Sequence, residues 1–514
     1  MGMEIELKLL IDPTAVESLR KHALLERYAI APPSAQELVT TYFDTSDFEV
    51  RKSDAALRVR RSGTDWIQTL KGGGSVEGGL HQRHEWESTV DGPCPDLAAL
   101  RDMVEHDTAW GKLLRSKSLE DRILPVFTTK FQRTVWHLQT PEGDDIELAL
   151  DQGTVEHGET TVPISEIEME LKAGDANHLF DLALELLDQV ALRIGNISKA
   201  ERGYALHSPQ GPAIIKASRV ELSRRATVEQ GLQAILANCM GQIQGNEAGV
   251  VHGQDPESVH QMRVGLRRLR SALDMFGDAV TCPAQILEDL DWLAAELGAA
   301  RDWEVLHDST LPAIDHAIPR DIESAALRTA VSDTAASKRG QAAGAVNSVR
   351  YTRLMLGFQA WAQGARWRDQ AAGQAAGMLA KPLARFANNV LTRDQKRLLK
   401  RGKRLRSADP MARHRVRIAA KKARYASEFF ESLYRAGRMR RYTEHLAALQ
   451  DELGRFNDAA VADGLLRQLQ ADHPELAASA GFARGVLAAD VTDGDLKLGK
   501  PWKRFTRAKL PCRK

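Results

Sequence analysis

Glu4, Glu6 and Lys8 alternate with Ile5, Leu7 and Leu9 near the start of the chain, and Glu168, Glu170 and Lys172 alternate with Ile167, Met169 and Leu171 further on. A period of two is the strand period, so each stretch puts its charges on one face and its aliphatics on the other. Carboxylates and an ammonium in such a row can mean two things. On a surface strand they are the solvated face. In a closed barrel with a polar interior they point into the lumen, where hard carboxylate oxygens can hold a divalent cation. The two readings part on whether other strands carry charge at the same period.

Several do. Arg58 and Arg60 share a face in the stretch Ala55–Arg61, and Arg83, Glu85 and Glu87 share one in Gln82–Val90, with Trp86 on the other side. Arg133 has the parity of Phe131 and Val135 in Thr128–Gln139, and Glu147 that of Asp145 and Asp151 in Asp145–Asp151. Lys71 ends the stretch Asp65–Lys71 just before Gly72-Gly73-Gly74, whereas Lys130 is out of phase with Arg133. Leu38–Asp44 completes the predicted strands. Helices are expected over Asp12–Arg27 and Asp175–Arg193, the latter with Leu179, Leu182, Leu186 and Val190 as its apolar stripe. Repeated charge of both signs suits a closed antiparallel barrel, because closure removes the sheet edges and opposite charges can pair inside. Burying that many ions costs several kcal/mol each unless partners complete the set, which calls for a cation and an anion.

The elements that follow are different. The 514 residues exceed one ordinary core, so at least two domains are expected. The formal net charge of +1 hides a split: residues 1–207 hold about 22 Lys and Arg against about 36 Asp and Glu, near −14, and the remainder is near +15. An acidic half could hold cations and a basic half a polyanion. Four scattered cysteines, no apolar run of membrane length and a charged first strand in place of a signal peptide point to the cytoplasm. No G-x-x-x-x-G-K-[ST] loop is present, which argues against a P-loop NTPase.

The ordered set Glu4-x-Glu6-x-Lys8, Arg58-x-Arg60, Lys71, Arg83-x-Glu85-x-Glu87, Glu168-x-Glu170 and Ser198-Lys199-Ala200-Glu201-Arg202 resembles the CYTH family of triphosphate tunnel metalloenzymes, over roughly residues 1–207. The resemblance implies an eight-stranded antiparallel barrel forming a tunnel, with flanking helices. It also implies metal ligands at Glu4, Glu6, Glu168 and Glu170 for Mg²⁺ or Mn²⁺, and phosphate binders at Arg58, Arg60, Lys71, Arg83, Arg133 and Lys199. Lys8 would orient or deprotonate the attacking water. Glu85, Glu87 and Glu147 would serve a second metal or support the basic residues. Lys172 repeats Lys8 by position and could equally lie in solvent at a strand end.

Residues 208–221 break periodicity and read as a linker. From residue 222 to 505 the pattern is helical, and 506–514 read as a tail, so the fold class is α+β. The helical half repeats itself: His260-x-x-Arg263-x-x-x-Arg267-Arg268-x-Arg270 matches His414-x-x-Arg417-x-x-x-Lys421-Lys422-x-Arg424, and Leu297-Gly298-x-x-Arg301-Asp302 matches Leu453-Gly454-x-x-Asn457-Asp458. Two pseudo-symmetric helical bundles are expected. At about 100° per residue, His260, Arg263, Arg267 and Arg270 share an arc of roughly 80° beside an apolar arc. With few acidic partners in sequence, that stripe repels itself unless an anion sits on it. The basic repeat resembles a CHAD domain, a helical module that implies polyphosphate binding. By that match the contacts are His260, Arg263, Arg267, Arg270, His414, Arg417, Lys421, Lys422 and Arg424, with the charge state of His260 and His414 left open. Arg393–Arg406 is a further basic run that either extends this surface or is ordinary solvated helix.

The function expected from both halves is metal-dependent hydrolysis of inorganic triphosphate to pyrophosphate and phosphate, beside a polyphosphate-binding domain. The rivals are a polyphosphate-binding or targeting protein with a non-catalytic tunnel, and a nucleoside triphosphatase or adenylate cyclase of the same family. No membrane partner is expected. Nucleic acid is a weaker partner for the basic half, because no stacking aromatics interleave with its arginines.

Overall fold

A computed structural model describes residues 2–116, 118–207, 211–253, 255–314, 317, 324–370, 374–403, 405, 410–494 and 498–512. The chain divides into two compact units. One comprises the residues up to Gly211 together with Ser348–Gly364, and the other Pro212–Asn347 with Ala365–Lys514.

The first unit is a closed antiparallel barrel. Its strands are β1 (Gly2–Ile11), β2 (Ser34–Asp44), β3 (Ala55–Ser62), β4 (Asp65–Glu77), β5 (Leu80–Val90), β6 (Leu124–Gln139), β7 (Asp145–His157) and β8 (Thr160–Ala173). Neighbours run β5-β4-β3-β2-β6-β7-β8-β1, and β1 pairs back to β5 through Gly2–Leu7, which closes the ring. Beyond Lys8 the same edge of β1 takes a short ninth strand, β9 (Leu192–Ile194), in place of β5.

Aliphatics at the alternate positions face outward under helices. Leu7, Leu9, Leu148, Leu150, Ile167 and Met169 pack with Leu179, Phe180, Leu182 and Leu186 of α1 (Asn177–Leu186). Leu57, Val59, Leu70 and Trp86 form a second outer core with Leu97, Leu100 and Leu114. A third cluster lies on the lumen side, where Leu38, Tyr42, Phe127, Phe131, Val155 and Ile164 meet Ala200 and Tyr204 of α2 (Lys199–His207). The barrel interior is therefore charged over part of its length and apolar where α2 plugs it. Tyr204 fixes that plug by donating to the buried Asp44 at 2.7 Å.

Two predicted helices are shorter than expected. Asp12–Arg27 is a 3-10 turn followed by two helices, Val16–Arg20 and Ala23–Tyr28, because His22 breaks the run and caps the second piece through its Nδ1. Asp175–Arg193 stops at Leu186, and Leu192–Ile194 leaves as β9 to cover the exposed edge of β1.

The second unit is helical. Helices α3 (Val228–Gln244), α4 (Pro256–Phe276), α5 (Ala284–Val305) and α6 (Ala325–Val346) pack in sequence with α4 between α3 and α5. One helix of the predicted helical half, α7 (Val349–Gln363), departs from this arrangement. Its Leu356 and Ala360 join the core outside β1, and Arg353 pairs with Asp188 at 2.9 Å. The first repeat is then mirrored by α8 (Leu383–Gly402), α9 (Pro410–Phe429), α10 (Ala436–Asp472) and α11 (Ala477–Gly494), in which α9 packs between α8 and α10 and α10 against α11. The repeated helices α4 and α9 meet each other.

The predicted linker begins in 208–210, the predicted tail ends in 513–514 and the basic run includes Arg404 and Arg406, all outside the described residues. The described part of the linker lacks regular structure but is anchored. Asn246 bonds both backbone groups of Ile215, and Ser432 bridges Val220 and Leu222. No described helix is long and apolar enough to cross a membrane.

Two glycines test the packing in opposite directions. A Cβ on Gly203 of α2 would lie 2.1 Å from the Phe127 ring, whereas Gly241 of α3 has nothing within 4 Å. Gly203→Ala should cost about 1–3 kcal/mol through overpacking, even though Ala is the better helix former. Gly241→Ala should add about 0.5–1 kcal/mol. Denaturant unfolding of both variants checks the pair, and equal signs would refute the close approach of α2 to β6.

Candidate functional site

The closed register decides which side chains share the lumen. Glu6 lies opposite Glu170, which lies opposite Glu147, while Lys8 lies opposite Glu168. The adjacent strands β7, β8 and β1 thus form an acidic arc. On the other side Tyr42 faces Arg58, Thr40 faces Arg60 and Lys71 faces Glu85, so β2 to β5 form a mainly basic arc that Arg133 of β6 extends. Together they line a cavity of about 300 Å³. All six predicted phosphate binders, all four predicted metal ligands, Lys8, Glu85, Glu87, Glu147 and Lys172 line it. Lys172 lies near the strand end with its side chain 40% exposed, pairs with Glu170 at 2.7 Å and stands 3.9 Å from Glu147.

The deepest part is a buried ion network. Lys199 Nζ lies 2.6 Å from Asp151, 2.5 Å from Glu166 and 2.9 Å from Glu168. Lys8 bonds Glu168 and stands 3.4 Å from Glu166 and 3.6 Å from Glu6. Arg133 forks onto Asp151 at 2.7 and 2.6 Å and also reaches Glu168, and Arg202 binds Glu166. Burial opposes ionisation of Glu166, Glu168 and Lys8, but the opposite charges win. Glu166 is held at about 2 by Lys199, Lys8 and Arg202, Glu168 well below its ordinary range by Lys199, Lys8 and Arg133, and the Lys8 ammonium well above its own by Glu166, Glu168 and Glu6. An ammonium held this firmly donates and does not accept a proton. Of the two roles that the resemblance implied for Lys8, this charged state suits orienting water rather than deprotonating it.

Helix α2 delivers two of these cations because it starts on a reciprocal cap. The Glu201 backbone N–H donates to Ser198 Oγ, and the Ser198 N–H donates back to the Glu201 carboxylate. Lys199 and Arg202, three apart, then share the face turned to β8. Asp151, Glu166 and Arg202 were not among the predicted site residues. Their signals were present, however, in the parity of Asp151 with Glu147, that of Glu166 with Glu168, and the helical spacing after Lys199.

Asp151, Glu166 and Glu168 bring carboxylate oxygens within 4.8 Å of one another, which is a spacing that could suit a metal. The Lys199 ammonium already sits among them, so the protein's own cation fills that place. Three of the four predicted metal ligands, Glu4, Glu6 and Glu170, line the lumen one row on with Glu147, but among the described residues they form no group of carboxylate oxygens as close as that one, whereas the fourth, Glu168, is taken up by Lys8, Lys199 and Arg133. In that row burial pushes the Glu170 carboxyl up, Lys172 pulls it back, and the nearby Glu4 and Glu147 push it further up. That crowding of acids is what a divalent cation relieves.

The basic arc is unbalanced in the other sense. Lys71 pairs with Glu4 at 2.6 Å, and Arg58 stands 3.6 Å from Glu85. Arg60 makes a hydrogen bond to Thr40 at 3.2 Å but no ion pair with a described residue. Burial, then Arg58 and Arg133 beside it, push its guanidinium down to about 9.

The helical unit has its own cleft, of about 860 Å³. His260, Arg263, Arg267, Arg417, Lys421 and Arg424 line it, joined by Arg301, Arg268, Lys216 and Arg219, which were not among the predicted contacts. Arg301 belongs to the second repeated piece, and Lys216 and Arg219 to the predicted linker. The other three predicted contacts do not line it. Arg270 pairs with Asp291, Lys422 pairs with Asp274 at 2.7 Å, and His414 lines a separate groove with Arg413 and Arg484. The stripe also has more acidic partners than the sequence suggested. Arg263 pairs with Asp302 at 2.9 Å and Arg424 with Glu428 at 2.6 Å, because neighbouring helices and turns supply acids that one helix does not show. At the centre, Arg267 Nε is buried without a hydrogen-bond partner among the described residues. Burial, then Arg267, Arg417 and Arg263, push Lys421 down to about 7. Burial, then Arg301, lowers His260 below its ordinary value, which favours the neutral imidazole at neutral pH.

Residues 2–204 match the CYTH domain family and residues 234–467 the CHAD domain family. Among curated relatives, an inorganic triphosphatase of Haemophilus influenzae is 36% identical over 211 residues, 41% of this chain and 56% of the relative. An uncharacterized protein of Mycobacterium tuberculosis is 28% identical over 347 residues, 62% of this chain and 61% of its own. The chain thus spans well under two thirds of the length of these relatives. Among solved structures, the CHAD domain from the plant Ricinus communis is 41% identical with a TM-score of 0.53, covering 59% of this chain and 99% of that one. With the closed barrel and the repeated helical unit behind these matches, the chain joins an N-terminal CYTH domain to a C-terminal CHAD domain.

Proposed function

We propose that the barrel hydrolyses inorganic triphosphate to pyrophosphate and phosphate with Mg²⁺ or Mn²⁺, and that the cleft of the helical unit binds polyphosphate. The observation that carries the first half is the division of one small lumen into a crowded acidic arc and a basic arc whose Arg60 has no carboxylate counterpart. A triphosphate carries about four negative charges near neutral pH, and its hydrolysis depends on positioning and neutralising charge. Arg58, Arg60, Arg83 and Arg133 offer forked donors to phosphate oxygens, and Lys71 and Lys199 offer point charges. A metal on the Glu4, Glu6 and Glu170 side would supply Lewis-acid polarisation of a phosphate oxygen. Lys8 holds its proton and orients water or a phosphate oxygen beside Glu168. The lumen favours inorganic triphosphate over a nucleotide, because among its described lining residues only Tyr42 and the imidazole of His81 carry rings and the cavity is small.

The test is phosphate release from tripolyphosphate, ATP and long polyphosphate, each with Mg²⁺ and Mn²⁺. Tripolyphosphate should be turned over fastest. Glu6→Gln and Arg60→Ala should each lower kcat/KM by about a hundredfold or more. Wild-type protein that releases no phosphate from tripolyphosphate with either metal would falsify the enzyme reading, and turnover unchanged in Glu6→Gln would do the same for the metal site.

The observation that carries the second half is the unneutralised centre of the cleft, Arg267 with Lys421. Lys421 titrates near 7 in the free protein, and a bound polyanion would restore its charged form. Affinity for polyphosphate should therefore be full below about pH 7 and fall as pH rises above it, by at most about tenfold per unit. Lys421→Met should bind more weakly and flatten that slope, and Lys421→Arg should keep high affinity to alkaline pH. Binding isotherms between pH 6 and 8.5 decide it; identical slopes in wild type and Lys421→Met rule the role out.

A further inference from the structure

A further cavity belongs neither to the barrel lumen, nor to the cleft, nor to the His414 groove. It lies in the helical unit between α8 and α9, has a volume of about 640 Å³, and is lined by Arg393, Lys396, Arg397, Lys400, Arg401 and Arg415 with Ala412 at its floor. No carboxylate and no aromatic ring lines it among the described residues.

The sequence left the run from Arg393 open between a functional surface and a solvated helix face. Geometry separates the two. A solvated face carries its charges outward and pairs them with acids along the helix. Here Arg393, Arg397 and Arg401 follow at four-residue intervals, as do Lys396 and Lys400, so five cations share one side of α8 over about 12 Å. The second helix closes the groove and adds a sixth. Neutralisation is slight. Arg393 stands 3.4 Å from Asp394 and 3.9 Å from the exposed Asp278, and Arg401 donates to the Arg415 carbonyl at 3.2 Å, which leaves its charge uncompensated. Lys396, Arg397 and Lys400 make no ion pair with a described residue. Six cations around one concave surface raise the local potential and attract an anion with several charges along its length.

The groove is separate from the central cleft. At about 100° per residue, Arg415 lies about 150° around α9 from Arg417, Lys421 and Arg424, which face the cleft. Arg417, Lys421 and Arg424 belong to the repeated motif, and nothing in the first repeat corresponds to the α8 run. The second site is therefore a feature of one half only.

We propose that the α8–α9 groove is a second binding site for a linear phosphate chain, so that a long polyphosphate is held at two places on the helical unit. It shares with the cleft reading only the choice of ligand. Polyphosphate suits the groove better than a nucleic acid because successive phosphates need only forks and point charges, while bases would find nothing to stack on.

Titration of the full chain with a polyphosphate of defined medium length tests this. The wild type should take up two equivalents. Arg397→Glu with Arg401→Glu should take up one, lose about tenfold or more in affinity for long chains, and hydrolyse tripolyphosphate as wild type does. Arg397→Gln with Lys400→Gln, which removes charge without reversing it, should show the same loss in smaller degree and guards against misfolding, with thermal unfolding as the control. Arg267→Glu with Lys421→Glu should remove the other equivalent. A groove variant that still takes up two equivalents overturns the proposal. A single equivalent in the wild type that is lost only in the cleft variant also overturns it, and leaves the cleft reading standing. One lost only in the groove variant supports the groove and overturns the cleft reading. A DNA oligonucleotide that displaces polyphosphate from the groove at equal phosphate concentration overturns the assignment to a phosphate chain.

Discussion

Charge buried without a partner is the constraint that shapes this protein. Lys8, Lys199, Asp151 and Glu166 are almost wholly withdrawn from water, and each is tolerable only because the others are there. Closure of the sheet through β1 and β5 makes the network possible, since it brings β1 and β8 into register on one side of β1 and β5 on the other. Strand parity supplies the charges, and helix α2 supplies the counter-ions that the strands lack. Removing one member would leave its partners ionised in a dry place, which costs several kcal/mol, so the plug helix and the barrel stand or fall together.

Much of this was written in the alternation of the chain. Glu4, Glu6, Arg58, Arg83 and Glu170 declare a common face by parity alone, and the structure turns that face inward. What parity could not show is who neutralises whom. Asp151 and Glu166 lie on the same face as the predicted ligands, yet their partners are Lys199 and Arg202, which arrive from a helix at the end of the domain. That pairing is tertiary and leaves no local mark. The failed helix predictions have the same origin. Leu192–Ile194 continues an apolar pattern that is compatible with helix, but the free edge of β1 offers backbone hydrogen bonds that a further helical turn does not.

The helical unit shows the limit of reading a repeat as symmetry. Arg268 and Lys422 occupy equivalent positions, but Arg268 is buried, with its guanidinium donating to the Gln242 and Asn238 amide oxygens and lying over Phe429, while Lys422 points to Asp274 at the surface. His260 and His414 likewise face different cavities. A duplicated helix keeps its own periodicity, whereas what it faces depends on neighbours that have diverged. The cleft is therefore lined by the conserved spacing of one motif and by unpredicted residues such as Arg301 and Arg219, which the chain brings in from a second helix and from an irregular segment.

Under the proposed function, the barrel and the helical unit would meet the same ligand chemistry with opposite solutions. In the barrel, cations are paired in advance with carboxylates, and few remain free. An anion entering there must compete for Lys71 or find Arg60, and it displaces little water from a cavity of about 300 Å³. Charges held in place in this way are preorganised, which is what the proposed stabilisation of a small, highly charged transition state would need. In the helical unit the cavities are larger; cations outnumber the carboxylates that line the cleft, and all the charged side chains described around the α8–α9 groove are cationic. Arg267, Arg417 and Lys421 repel one another there, and under the proposed function a chain of phosphates long enough to touch several cations would gain by doing so. Under the proposed function, paired charge in a closed ring would serve chemistry on one bond, and partly paired cations along helices would serve to hold a polymer. The two halves differ in fold because burial of ions demands closure, while exposure of a cationic track requires only helices of the right period.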